Sequence, residues 1–264
     1  MPKGMLIDLT KCMGCRSCQV ACKQWNNLPA EKTSFNESFT NPPALSAYTF
    51  TNVEFHLLEE SSGKLDWVFV KRQCLHCQDP ACVSACPVEA LYKTEKGAVA
   101  YDVDKCMGCR YCMVACPFEI PKFEWDKTYP AIAKCDLCSD RLEAGLAPAC
   151  ATACPTGAIT FGEREELLKE ARARMAKEPG KYINHIYGEK EVGGTGVLYL
   201  SSVPFEKLGF NTRVPQQALP PLTWNAISEI PLIALGVGAL ATGLYLNTKR
   251  RNPSDEGDTE KGEE

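Results

Sequence analysis

Sixteen cysteines stand in four groups of four along the chain, with none left over. The groups are Cys12, Cys15, Cys18 and Cys22; Cys74, Cys77, Cys82 and Cys86; Cys106, Cys109, Cys112 and Cys116; and Cys135, Cys138, Cys150 and Cys154. Sulfur at this density needs a disulfide scaffold, zinc or iron–sulfur clusters. A disulfide framework suits small secreted chains, whereas the opening "MPKGMLIDLT" has neither an apolar signal core nor a cleavage site. Cysteines three residues apart also bridge one another poorly.

Spacing separates the other two. Zinc takes two close pairs separated by a longer loop, often with histidine, and the chain has only three histidines. The first and third groups instead read C-x2-C-x2-C-x3-C. In that pattern three thiolates on one tight loop wrap three corners of a cubane, and the fourth cysteine ligates the other cluster of a two-cluster module. The fourth group, "CDLC" and then "CATAC", resembles a zinc ribbon only when taken alone, and a zinc-stabilised scaffold without redox activity is the remote alternative. Sixteen ligands in four groups predict four [4Fe-4S] clusters.

The groups form an internal duplication. "KCMGCRSCQVAC" (Lys11 to Cys22) and "KCMGCRYCMVAC" (Lys105 to Cys116) are near copies, while "CPVEAL" and "CPTGAI" close the second and fourth groups. The order A-B-A-B predicts two ferredoxin-like modules, each built from one half of either kind. Spacing leaves the pairing open: groups two, three and four are separated by eighteen or nineteen residues, against fifty-one between groups one and two. The second group closes a compact module equally well with the third, or the third with the fourth.

Other features are weaker. Arg16, Arg110, Lys134 and Arg141 lie beside cysteines and either raise a cluster potential or are solvated and paired. His76, inside "CLHC", reads as a loop residue making a backbone hydrogen bond, not a ligand or tuning group. "GEKEVGGTGV" matches neither dinucleotide nor phosphate-loop spacing and reads as a turn. "EREELLKEARARMAKE" runs from acidic to basic with helical spacing and reads as a surface helix. "VEFHLLEE" and "KLDWVFV" alternate as a hairpin covering the clusters, with "SSGK" as its turn. No nucleotide, flavin or pterin pocket is apparent, so the chain is expected to be non-catalytic.

Ile230 to Leu246 is a run of seventeen residues without a charge, about 25 Å as a helix. With Ala226 and Ile227 before it, the run approaches the length that spans a bilayer. Trp224 and Tyr245 are placed as interfacial anchors, and Ala234, Gly238 and Thr242 form a small-residue face for a partner helix. "KRR" follows the run, while the stretch before it carries only Arg213 and Glu229. This asymmetry predicts a cytoplasmic C-terminus and a cluster domain across the membrane; the rival is the inverted topology. The tail Asn252 to Glu264 reads as disordered. It contributes −5 to a chain of net charge −4, leaving +1 for the rest and no nucleic-acid surface.

The motifs "LIDLTKCMGCRSCQVACKQWN", "CLHCQDPAC", "CRYCMVACPFEIPKF" and "KCDLCSDRLEAGLAPACATACPTGAI" resemble the iron–sulfur (beta) subunits of membrane-bound respiratory oxidoreductases. "QVACKQWN", "NPPALSAYTFTNVEF" and "GKLDWVFVKRQC" are similar to formate dehydrogenase beta subunits. "CRYCMVACPFEIPKFEW" and "IYGEKEVGGTGVLYLSSVPFEKL" are similar to the iron–sulfur subunit of membrane-bound uptake nickel–iron hydrogenases. The likeness covers nearly the whole chain and favours the formate dehydrogenase branch. One departure is Lys23 after Cys22, where the other groups end in Cys-Pro.

The resemblance implies a crossed ligation. Cys74, Cys77, Cys82 and Cys116 hold one cluster, and Cys106, Cys109, Cys112 and Cys86 a second; Cys12, Cys15, Cys18 and Cys154 hold a third, and Cys135, Cys138, Cys150 and Cys22 the fourth. It also implies an α+β fold with a four-cluster domain over residues 1–162. That domain comprises an inner module (66–122), an outer module (1–30 with 123–162) and a covering insertion (31–65). Residues 163–222 follow as a surface helix and an extended partner-contacting segment, then a transmembrane anchor (223–251) and the acidic tail (252–264). The implied partners are a catalytic subunit, either a molybdenum or tungsten pterin formate dehydrogenase or a nickel–iron hydrogenase, and a membrane cytochrome b or quinone-reactive subunit. The implied location is the bacterial inner membrane, with a periplasmic cluster domain exported alongside a catalytic subunit bearing a twin-arginine signal.

Overall fold

Strand β1 (Lys3–Asp8) carries apolar residues on both faces. In a computed structural model of the chain, which describes residues 2–34, 38–59 and 65–251, both faces are covered. Met5 and Ile7 enter a core that contains Cys18, Cys150 and Leu137. Leu6 points the other way, onto a separate apolar layer. Strand pleating puts alternate side chains on opposite faces, so this one segment divides thiol-bearing core from covering helix.

The chain after β1 continues as helix α1 (Ser17–Trp25), then β2 (Asn52–Glu59) and β3 (Leu65–Arg72). The two strands pair antiparallel from Asn52↔Arg72 to Glu59↔Leu65, and the expected "SSGK" turn lies outside the described residues. Short elements follow: α2 (Ala81–Ser84), β4 (Leu91–Lys93), β5 (Val99–Tyr101), α3 (Tyr111–Ala115), β6 (Lys122–Phe123), β7 (Ile132–Ala133), α4 (Ser139–Glu143) and α5 (Ala149–Thr152). The first unit ends with β8 (Ile159–Glu163), helix α6 (Arg164–Lys177) and β9 (Val197–Leu200).

The three-stranded sheet has the order β8-β1-β9, with β1 antiparallel to β8 and parallel to β9. Leu167, Leu168 and Ala171 of α6 pack on Leu6, Leu198 and Leu200. Full burial of such side chains stabilises by about 1.5–3 kcal/mol each. Asp8, fully buried at the end of β1, accepts from Arg174 Nη1 and Tyr182 Oη at 3.0 Å each, so its charge is paired. Beyond α6, β9 is completely buried beside β1, because Val197 and Tyr199 complete one core and Leu198 and Leu200 the other.

The duplication is visible in the backbone. The amide of Asp8 donates to Ala158 O at 2.8 Å, and that of Asp102 donates to Ala90 O at 2.8 Å. Each aspartate then caps a short 3-10 turn, Leu9–Lys11 or Val103–Lys105, that delivers the chain into "KCMGC".

The chain divides into two units, Met1–Pro220 and Pro221–Glu264. The second holds most of α7 (Pro220–Ile227) and all of α8 (Ile230–Arg251). Helix α8 has 22 residues and a mean hydropathy of 1.6, enough by length and composition to cross a membrane; at 1.5 Å per residue it spans about 33 Å. Ala226 and Ile227 fall in α7, and the candidate spanning helix gains its length at the other end, through Arg251. Pro231 sits in its first turn, where a missing N–H costs no helical bond. The acidic tail lies outside the described residues.

Candidate metal centre

The first C-x-x-C turn of each group holds the residue two places after its first cysteine in the left-handed region: Gly14 (φ 70°), His76 (50°), Gly108 (71°) and Leu137 (63°). The turn can aim a backbone N–H back at the sulfur. Gly108 N donates to Cys106 Sγ and Leu137 N to Cys135 Sγ, both at 3.4 Å. A second turn recurs after three of the groups. Glu89, Glu119 and Gly157 are left-handed, and each donates its N–H to the carbonyl of the cysteine three residues earlier, Cys86, Cys116 or Cys154. Cys22, followed by Lys23, lacks this turn, and α1 runs on to Trp25.

Strand pairing decides which thiols meet. Ile7↔Ile159 sets the start of the first group beside the end of the fourth, and Leu91↔Tyr101 sets the end of the second beside the start of the third. Cys12 accordingly experiences the charge of Cys15 and Cys154, and Cys18 that of Cys150, Cys12 and Cys15. Cys22, one helical turn beyond Cys18, also lies near Cys150, and Cys138 experiences both Cys150 and Cys22. Cys77 experiences Cys74, Cys116 and Cys82. Cys112 experiences Cys106, Cys109 and Cys86, and these four line one cavity with Tyr101 and Ile132. Thiols of different groups therefore lie near one another: Cys18 near Cys150, Cys135 near Cys74, and Cys82 near Cys112.

The donor chemistry fits a multi-iron group. Burial pushes Cys18, Cys82 and Cys138 up to about 12, and Cys22 and Cys112 to about 11. It drives Cys77 and Cys135 well above the ordinary thiol value. Such sulfurs become thiolates only against strong positive charge, which bound iron supplies. Cys106 alone falls below the ordinary value: burial acts upward, but the Tyr101 hydroxyl and the Ile132 and Gly108 amides outweigh it. Among the described residues no three His, Cys, Asp or Glu side chains converge on a point fit for one ion.

Two stretches, residues 65–164 and residues 11–90, match family models described as a 4Fe-4S dicluster domain. A formate dehydrogenase iron-sulfur subunit of Haemophilus influenzae is 35% identical over 261 residues, covering 97% of this chain and 82% of the relative. The hydrogenase-2 operon protein HybA of Escherichia coli O157:H7 is 41% identical over 235 residues, 78% of this chain and 71% of the relative. The iron-sulfur subunit of the nitrate-inducible formate dehydrogenase of Escherichia coli K12 is 41% identical over 198 residues, 74% and 66%. The chain belongs to the 4Fe-4S iron–sulfur subunits of the formate dehydrogenase and hydrogenase-2 type. It is an electron-transfer subunit by family.

Three buried or part-buried lysines of this iron–sulfur subunit were not read as site residues from sequence, or were read only as neighbours of it. Lys71 is fully buried, with Nζ donating to Thr51 Oγ1 at 3.3 Å and to Gln73 Oε1. Burial alone would depress its pKa, but Cys150, Cys18, Tyr199 and Cys135, once ionised, hold it above the ordinary lysine value. Lys134 donates to the carbonyls of Val99 and Cys135. Lys93 donates to Cys77 O at 2.6 Å and His76 O at 3.2 Å. By contrast, Arg16, Arg110 and Arg141 lie over aromatic rings, those of Phe55, Phe123 with Trp125, and Trp25 respectively.

The glycine-rich segment has a structural task in the subunit. Gly196 N donates to the carbonyls of Leu75 and His76, and Gln78 N donates to Gly194 O, laying the segment along the "CLHC" turn. A Cβ on Gly4 would stand 2.3 Å from Gly196 O, so only glycine lets β1 approach there.

Proposed function

We propose that this chain relays electrons through four [4Fe-4S] clusters between a catalytic subunit, most closely that of a formate dehydrogenase, and a membrane cytochrome b or quinone-reactive partner. Each cluster supplies a one-electron carrier held by four thiolates. The proposed ligand sets are Cys12, Cys15, Cys18 and Cys154; Cys22, Cys135, Cys138 and Cys150; Cys74, Cys77, Cys82 and Cys116; and Cys86, Cys106, Cys109 and Cys112. The observation that carries the reading is the approach of cysteines from different groups, Cys18 to Cys150, Cys135 to Cys74 and Cys82 to Cys112, which would set the four quartets in a single file.

The chain's own part is to hold and insulate. Backbone amides of the left-handed turns donate to ligand sulfurs, and the buried ammonium groups of Lys71 and Lys134 offset the negative charge concentrated there. The sheet β8-β1-β9 and helix α6 exclude water from one side of the first two quartets. Two ferredoxin-like modules, the domain limits given above and α8 as a single-pass anchor complete the proposal, with the cluster domain periplasmic and the C-terminus cytoplasmic. Lys249, Arg250 and Arg251 in the last turn of α8 support that orientation.

A second reading, the same relay in a nickel–iron hydrogenase, draws on the comparable identity to the hydrogenase-2 protein. Metal analysis of the complex that co-purifies with the C-terminally tagged chain, anaerobically and in mild detergent, separates the two. Molybdenum or tungsten beside abundant iron is the expected result; nickel would establish the second reading.

A further inference from the structure

His76 sits in the turn between Cys74 and Cys77 and is completely buried. Its ring nevertheless reaches the next quartet in the file: Nε2 lies 3.5 Å from Cys135 Sγ. The other ring nitrogen, Nδ1, accepts the backbone N–H of Val99 at 3.0 Å. A backbone amide can only donate, so Nδ1 carries no proton, and the proton of the neutral imidazole resides on Nε2. That N–H points at the Cys135 sulfur.

The residue is held through its carbonyl as well as its ring. The His76 carbonyl accepts from Gly196 N at 2.9 Å and from Lys93 Nζ at 3.2 Å. A Cβ at Gly196 would come within 3.0 Å of that carbonyl and 3.4 Å of His76 Cβ, so the glycine is part of what seats the histidine. Leu137 N also donates to Cys135 Sγ, at 3.4 Å. Cys135 thus receives one donor from its own turn and one from the neighbouring quartet's turn.

We propose that His76 is a positioning residue that donates its Nε2–H hydrogen bond to the Cys135 thiolate and thereby raises the reduction potential of the cluster Cys135 shares with Cys22, Cys138 and Cys150. The inference rests on the cluster assignment proposed above. A hydrogen bond to a ligand sulfur stabilises the reduced form, which carries the greater negative charge, so reduction becomes easier. The donor comes from the turn that binds the adjacent cluster, so the potential of one site depends on the fold of its neighbour. The chain places this coupling at the junction between the two halves of the file.

The test uses the anaerobically purified complex, with iron content measured first. His76→Asn keeps a residue tolerant of the left-handed conformation but is too short to reach Cys135. In a redox titration followed by electron paramagnetic resonance, the variant is expected to lower one midpoint by about tenfold in the reduction equilibrium, about 59 mV for one electron, with the other three unchanged. Four unchanged midpoints in an iron-replete variant would overturn the proposal, because a purely structural histidine leaves potentials where they were. Wild-type complex labelled with [15N]histidine gives a second readout that needs no substitution. Electron spin echo modulation from a histidine nitrogen at one reduced cluster is expected, and within this chain His56 and His185 are the only other histidines. Absence of that coupling overturns the proposal even if the variant fails to load iron. A wild-type complex with no iron–sulfur signal overturns both this inference and the cluster assignment beneath it.

Discussion

Cys12 lies near Cys154 although they come from opposite ends of the cysteine-bearing region, because Ile7 and Ile159 beside them are paired across β1 and β8. Cys22, one turn along the same helix from Cys18 and near Cys150, is assigned by the proposal above to the adjacent cluster. The crossing follows from helical rise: four residues move a side chain about 6 Å along the axis while keeping it on the same face.

Iron counting in paired variants tests this crossing. Cys22→Ser is expected to lower iron by about four per chain, and adding Cys138→Ser should remove nothing more, because both serve one quartet. Adding Cys15→Ser to Cys22→Ser should double the loss. The reverse pattern would place Cys22 with its own loop.

The two copies of "KCMGCR" are unequally confined. A Cβ on Gly14 would stand 2.8 Å from Phe69 and 3.1 Å from Phe55, whereas on Gly108 the nearest atoms lie at 3.5 Å. Both positions are left-handed. Gly108→Ala is therefore expected to cost about 1–2 kcal/mol for backbone strain alone, and Gly14→Ala about 2–5 kcal/mol once overpacking is added. Anaerobic thermal melts of the iron-loaded proteins measure the difference, and equal losses would contradict it.

Lys71→Met removes a buried ammonium while retaining most of the stem's volume. Its charge bears on Cys18, Cys150 and Cys135, which the proposal above assigns to two neighbouring clusters. Two midpoints should fall together, each by about tenfold in the reduction equilibrium, or about 59 mV. A titration in which neither moves would show that Lys71 acts only through its hydrogen bonds to Thr51 and Gln73.

Ending the chain after Pro220 removes α8 and leaves the unit that contains every cysteine. Iron per chain is expected to stay constant, with the protein moving from the membrane to the soluble fraction on centrifugation. A truncated chain still sedimenting with membranes would assign anchoring elsewhere.

The cysteines, their duplication and the apolar C-terminal run were legible because each obeys a local spacing. Non-local placement was not. Lys71 lies in a strand whose alternation predicts one exposed face, but both faces of β3 are covered near its end, and Val53 stands opposite it. Nothing in "CLHC" says that His76 reaches a cysteine fifty-nine positions away. Gly14 and Gly108 advertise the left-handed turn, whereas Leu137 adopts it without any such signal. Strand β9 reads as an ordinary apolar stretch until its parallel partner is known, and parallel pairing leaves no short-range mark.

The central claim is four cubane clusters on this chain, and quantifying iron with acid-labile sulfide per chain in anaerobically isolated protein tests it directly. The account predicts about sixteen of each. Zinc without labile sulfide would contradict it, leaving the thiol quartets as structural sites with no electrons to carry.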